Sequence, residues 1–268
     1  MYDIHQLTTL TTDDLPLFGS ICAFYLVYRL AMSNLILKKI ATFIKVKFPA
    51  KFIHRSFDLI HYTSSALLGL YALSSRPYGH CAIWARDCVE DIKPMEECYM
   101  SEIEKVYFMI FAAYYVVDVL FIYTSNDKVA LILHHMSTLS MIFLCIYLKV
   151  QILGMIIMLL HDVVDVPLYL GKILTYLGYE TGKDLSLVTF AILCTWFRMV
   201  NYPTVIFDAY LNGVNCQMPH KNVYWFTWSL LLCLMGLHIY WFMKILKAVV
   251  GIIRSGKEAI CDNRSESD

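Results

Sequence analysis

Residues 134–150, HHMSTLSMIFLCIYLKV, and residues 152–177, ILGMIIMLLHDVVDVPLYLGKILTYL, are two long apolar runs with ionisable side chains set inside them. Runs of this length read as consecutive membrane helices, each able to cross the ~30 Å hydrocarbon layer. His134-His135 and His161-Asp162-x-x-Asp165 are then out of place on solvation grounds. An ionisable group at bilayer depth costs about 3 kcal/mol or more unless it faces a cavity or a polar partner, so both clusters read as a functional site.

The same apolar character recurs along the chain. Apolar residues make up 59% of it and mean hydropathy is +0.57, which excludes an ordinary soluble domain. The expected spans are 15–37, 57–75, 104–124, 129–150, 152–177, 185–211 and 222–250. The fold class is therefore all-α: a polytopic membrane protein with about seven transmembrane helices. The N-terminal stretch MYDIHQLTTLTTDDLP lacks a basic leader, so the first span is expected to be retained as an anchor.

Lys and Arg in the short loops set the expected orientation. The segment KKIATFIKVKFPAKFIHR is strongly basic, and Lys128, Lys172, Lys183, Lys244, Lys247, Arg254 and Lys257 fall on the same side of a seven-span arrangement. That side, with the C-terminus, is predicted to be cytosolic. Cys81, Cys88, Cys98 and Cys216 fall in the two opposite loops, enough for two disulfides in an oxidising lumen. The other cysteines lie mostly in spans, where they act as small hydrophobes.

At 100° per residue His161, Asp165 and Lys172 share ~40° of arc, with Asp162 at the edge of that face. Thr138 projects between His134 and His135 in angle, giving the neighbouring span a second polar face. Asp118, Arg198 and Asn201 add polar groups at similar depth, and a cavity open to water or substrate follows. Pro167 is expected to kink the fifth span. His238 reads as isolated among aromatics, while His54, His61, His80 and His220 read as solvated at membrane edges.

Zinc held by His134, His161 and Asp165, or magnesium on Asp162-x-x-Asp165, is conceivable in geometry. No H-E-x-x-H spacing or phosphate loop accompanies either, and no metal is expected. An imidazole beside a carboxylate can instead take a proton from an amine or hydroxyl, or attack an acyl thioester. Acyl transfer is the chemistry this favours.

His134, His135, Thr138, Gly154, His161, Asp162, Asp165, Lys172 and Tyr176 together resemble the Lag motif of ceramide synthases, members of the TLC-domain family. Arg198 and Pro203 are similar to the family's pattern in the next span. The chain departs from many members at Tyr169, where they carry an acidic residue, and at Ile152, where they carry a basic one. The resemblance implies a TLC-domain bundle over 52–254, preceded by an N-terminal segment over 1–51 with its own transmembrane helix and followed by an acidic tail over 255–268.

It further implies N-acylation of a long-chain sphingoid base by fatty acyl-CoA in the endoplasmic reticulum membrane. No cofactor beyond that co-substrate and no nucleic-acid partner is expected, and a homo- or heterodimer is left open. His134 or His135 would attack the thioester or deprotonate the amine, and His161 would exchange a proton. Asp162 and Asp165 would orient imidazoles and bind the ammonium, while Thr138, Lys172, Arg198, Asn201 and Asp118 would bind substrate. The loop 212–222 would bear on chain length. The rival reading is a TLC-domain protein that binds, senses or moves lipid without acylation. Another acyl acceptor is a second.

Overall fold

A computed structural model describes residues 10–74, 83, 100–124, 128–148, 150–215 and 221–255. Its regular elements are helical. Seven long helical segments are present among the described residues: α1 over Thr12–Phe43, α2 over Pro49–Ser74, α3 over Glu102–Asp118, α4 over Lys128–Tyr147, α5 over Gln151–Leu177, α6 in three pieces, and α7 over Lys221–Ser255. The pieces of α6 are Glu180–Leu193, a π-helical stretch Cys194–Asn201, and Tyr202–Asn215. All except α2 are long and apolar enough to cross a membrane, and the chain is a multi-pass membrane protein.

The exception is instructive. α2 is 26 residues long but carries Ser56, Asp58, His61 and Ser65 on its buried face. Its polarity points inward, where other helices solvate it, so a hydropathy window underrates it. The span expected at 57–75 is real as a helix and begins two turns earlier.

α5 is the centre of the bundle, packed on α2 and α6, with α4 and the α6 π stretch also against it. In its most apolar window 67% of the residues are buried, against 11% for α1. α1 touches the rest through α3 and, in its second half, α2, and contributes few buried side chains, Tyr25, Arg29, Leu37 and Ala41. α5 runs through Pro167 without ending, and stops at Gly178. There a φ of 78° takes the left-handed form that closes many helices, with Tyr179 N–H bonded to Leu174 O at 2.9 Å.

Close approach of α4 and α5 depends on Gly154. A Cβ there would stand 2.9 Å from Cys145 Sγ, and membrane helices lacking a hydrophobic drive to associate rely on such small-residue contacts. Gly154→Ala is expected to lower thermal stability in detergent by about 1–3 kcal/mol, the usual penalty for overpacking. Cys145→Ala in the same chain should recover most of that loss, as read by the melting midpoint of the purified protein; equal midpoints for the single and double variants would refute the contact.

Candidate active site

Asp118 closes α3, just before the chain tightens into the 3-10 turn Val119–Thr124 that leads to α4. Its Oδ1 accepts from Arg29 Nη1 at 2.6 Å and its Oδ2 accepts from His135 Nε2 at 3.0 Å. The other ring nitrogen, Nδ1, lies 2.9 Å from the Leu131 carbonyl. Both nitrogens of His135 thus face oxygens of the protein, so neither is turned toward a substrate.

His134, one residue earlier, is placed differently. Its Nε2 is 3.5 Å from the Tyr115 hydroxyl, a group able to donate or accept. Its ring meets Trp241 edge-on at 5.4 Å.

The HDxxD cluster divides its carboxylates between two tasks. Asp165 Oδ2 pairs with Arg198 Nη2 at 2.8 Å, and the same guanidinium nitrogen donates to the His161 carbonyl at 3.0 Å. Asp162 is fully buried and accepts from Ser65 Oγ of α2 at 2.5 Å, with Tyr107 beside it. The carboxylate that touches an imidazole is therefore Asp118, whereas Asp162 and Asp165 engage Ser65 and Arg198.

His161 Nδ1 bonds the Ile157 carbonyl at 2.6 Å, and its Nε2 lies 2.9 Å from Nε2 of His238. A nitrogen donating to a carbonyl fixes that tautomer, so His238 donates to His161. Tyr202 packs edge-on against both rings.

Two cavities meet at this constellation. A polar one of ≈ 60 Å³ is lined by His134, His135, Asp118, Asp165, Arg198 and Trp241 among others, with His54, Arg55, Asp58 and Tyr62 from α2. An apolar one of ≈ 40 Å³ is lined by Phe111, Tyr115, Thr138, Met141, Cys145, Gly154, His161 and their neighbours. The His134 side chain belongs to both linings. Each volume accommodates only about a few waters, so a long-chain ligand requires side chains or helices to part.

Seven of the ten residues selected from the sequence line these cavities. Asp162, Lys172 and Asn201 line neither, Asp162 being turned to Ser65 of α2. The Lys172 ammonium sits over the Tyr169 ring at 5.3 Å, and Asn201 donates to the Ile83 carbonyl at 3.1 Å. Three histidines depart from their sequence reading. His61 is buried, stacked on Tyr114 at 3.7 Å and bonded to the Tyr25 hydroxyl at 2.7 Å. His54 lies against Arg29 Nη2 at 3.1 Å, and His238 pairs with His161. Burial of the polar face of α2 accounts for the first two, and a partner 77 residues away for the third.

Missed altogether were Arg29, Ser65 and Tyr115. An arginine inside an apolar span was the available signal for Arg29; a lone Ser or Tyr offers none. The loop cysteines, His80, His220, the tail and positions 216–220 of the loop proposed to bear on chain length lie outside the described residues.

Among the described residues no cluster of three or more His, Cys, Asp or Glu is arranged to hold a metal. His135, Asp118, Asp165 and His161 each pair with protein groups.

The profile of the TLC domain, TRAM_LAG1_CLN8, matches residues 51–247. Alternaria stem canker resistance protein 1 of Solanum lycopersicum is 30% identical over 149 residues, 53% of this chain and 48% of that protein. Ceramide synthase 4 of Mus musculus is 29% identical over 127 residues, 47% of this chain and 32% of that protein. Ceramide synthase LOH1 of Arabidopsis thaliana is 26% identical over 232 residues, 81% of this chain and 73% of that protein. The chain spans half or less of the length of the first two. With the domain match covering most of its helices, the chain belongs to the TLC-domain family.

Proposed function

We propose that this protein is a ceramide synthase, transferring a fatty acyl group from acyl-CoA to the amine of a long-chain sphingoid base. The observation that carries the reading is the position of His134 between a polar and an apolar cavity. An acyl thioester has one polar and one apolar side, and its carbonyl is the junction. A chain resting in the apolar cavity and a CoA arm leaving through the polar one put that carbonyl beside His134.

With the orientation read from Lys and Arg, the polar cavity opens to the cytosol, where acyl-CoA is supplied. His54 and Arg55 near the start of α2, Asp118 at the end of α3 and Leu131 near the start of α4 lie at the end that carries Lys51 and Lys128. The membrane is that of the endoplasmic reticulum.

In this mechanism His134 Nε2 attacks the thioester carbonyl, the carbon–sulfur bond breaks, and CoA leaves as the thiolate, which takes up the proton that the acylated imidazole gives from Nδ1. The sphingoid amine, as the free base, then attacks the acyl-imidazole, and its proton returns to the imidazole as the carbon–nitrogen bond to His134 breaks and the amide forms. His135, held by Asp118, fixes the wall of the cavity beside His134. Asp165 and Arg198 hold the rim of the polar cavity, and the carboxylates there attract the substrate ammonium.

Expression in a host without ceramide synthases, with labelled sphinganine and a panel of acyl-CoAs, tests this. Labelled ceramide from the parent chain is the expected result. Acylation of a different amine or of a hydroxyl would replace the acceptor, and lipid binding without acylation would replace the enzyme by a carrier.

A further inference from the structure

Arg29 stands outside the region matched by the TLC-domain profile, residues 51–247, on the helix least embedded in the bundle. Its side chain is nonetheless only 3% exposed and ends at the site. The guanidinium lies 4.0 Å from the ring centre of Phe121 and 5.1 Å from that of Phe57. These two faces fix its plane, and its nitrogens reach Asp118 Oδ1 at 2.6 Å and His54 Nδ1 at 3.1 Å. A π-helical stretch, Met32–Leu37, begins three residues later. Arg198 lies within the other such stretch, and local widening of this kind recurs at functional sites because it redirects side chains.

We propose that Arg29 is a positioning residue for acyl transfer: it occupies one oxygen of Asp118 so that the other oxygen holds the His135 ring in its orientation beside His134. The inference rests on the reading of the protein as an acyltransferase. Its physical content is that a carboxylate with two oxygens can turn about its Cα-to-carboxyl bonds unless both are engaged. Arg29 engages the first and thereby sets the direction of the second. The helix before the matched domain is on this account part of the catalytic unit.

The test uses the full chain purified in detergent, with Arg29→Lys, Arg29→Met, Asp118→Asn and the double variant Arg29→Met with Asp118→Asn. Folded protein is quantified by size exclusion, and rates are given per folded molecule. Arg29→Met is expected to lower kcat about 10-fold or more, with KM for acyl-CoA within about 3-fold, because the ring's direction is lost rather than substrate affinity. Arg29→Lys should fall between, since one ammonium can reach Asp118 but cannot also span to His54. The double variant should be no slower than Asp118→Asn alone, as expected of residues acting in series.

An unchanged kcat per folded molecule in Arg29→Met overturns the inference and leaves the enzyme reading intact, as does a double variant showing the full product of the single losses. If Arg29→Met yields no folded protein, Arg29→Lys decides: reduced kcat at preserved KM supports positioning, and parental kcat overturns it. A parent chain that acylates nothing removes both the enzyme reading and this inference.

Discussion

His134→Ala is expected to abolish ceramide formation, by about 10³-fold or more, while the protein still inserts and elutes as the parent does. His134 is half-buried rather than locked in the core, and its neighbours Tyr115 and Trp241 pack around it through their rings. Truncation there removes the atom proposed to react, at small structural cost. The informative control is His135→Gln. A glutamine can still donate to Asp118 Oδ2, so it should keep more activity than the same change at His134, losing about 10-fold. Initial rates of labelled ceramide formation per folded molecule discriminate the two; equal losses at both positions would remove the distinction drawn between the histidines.

Asp165→Asn is expected to cost both rate and stability, and a second substitution separates the two. The carboxylate pairs with Arg198 in a buried setting, Asp165 and Arg198 each being 8% exposed. Breaking such a pair from one side leaves the guanidinium uncompensated, at about 3 kcal/mol, and activity should fall about 10²-fold. Asp165→Leu combined with Arg198→Met removes both charges and should return the melting midpoint towards that of the parent, yet remain inactive. Recovered activity in that double variant would show that the pair serves stability alone.

Much of the site was legible because ionisable groups at membrane depth are rare and need a reason. His134, His135, His161, Asp162 and Asp165 could be marked out on that ground, and helical angle grouped those of α5. What the angle could not supply was the partner. Asp118 and His135 belong to different helices and meet through a tight 3-10 connection that has no clear sequence signature. Ser65 of α2 meets Asp162 across 97 residues. The register of one helix against another is set by small-residue contacts such as those at Gly69 and Gly154, and single-span hydropathy carries no such information. The spans α3, α4 and α5 begin within two residues of their expected starts, whereas α2 begins two turns before its expected start and α1 runs on to Phe43; the π stretches are the main local feature invisible to an apolar count.

The inward polarity of α2 bears on how the protein is made. A segment that buries Ser56, Asp58, His61 and Ser65 gains little from entering lipid alone, since each polar group would arrive there without its partner. α1 supplies Tyr25 for His61, and α3 and α5 supply Tyr114 and Asp162 for Asp58, His61 and Ser65. α2 therefore depends for its insertion on helices synthesised after it. The polar face of α2 is thus fully solvated only in the assembled bundle, once α1, α3 and α5 all stand around it.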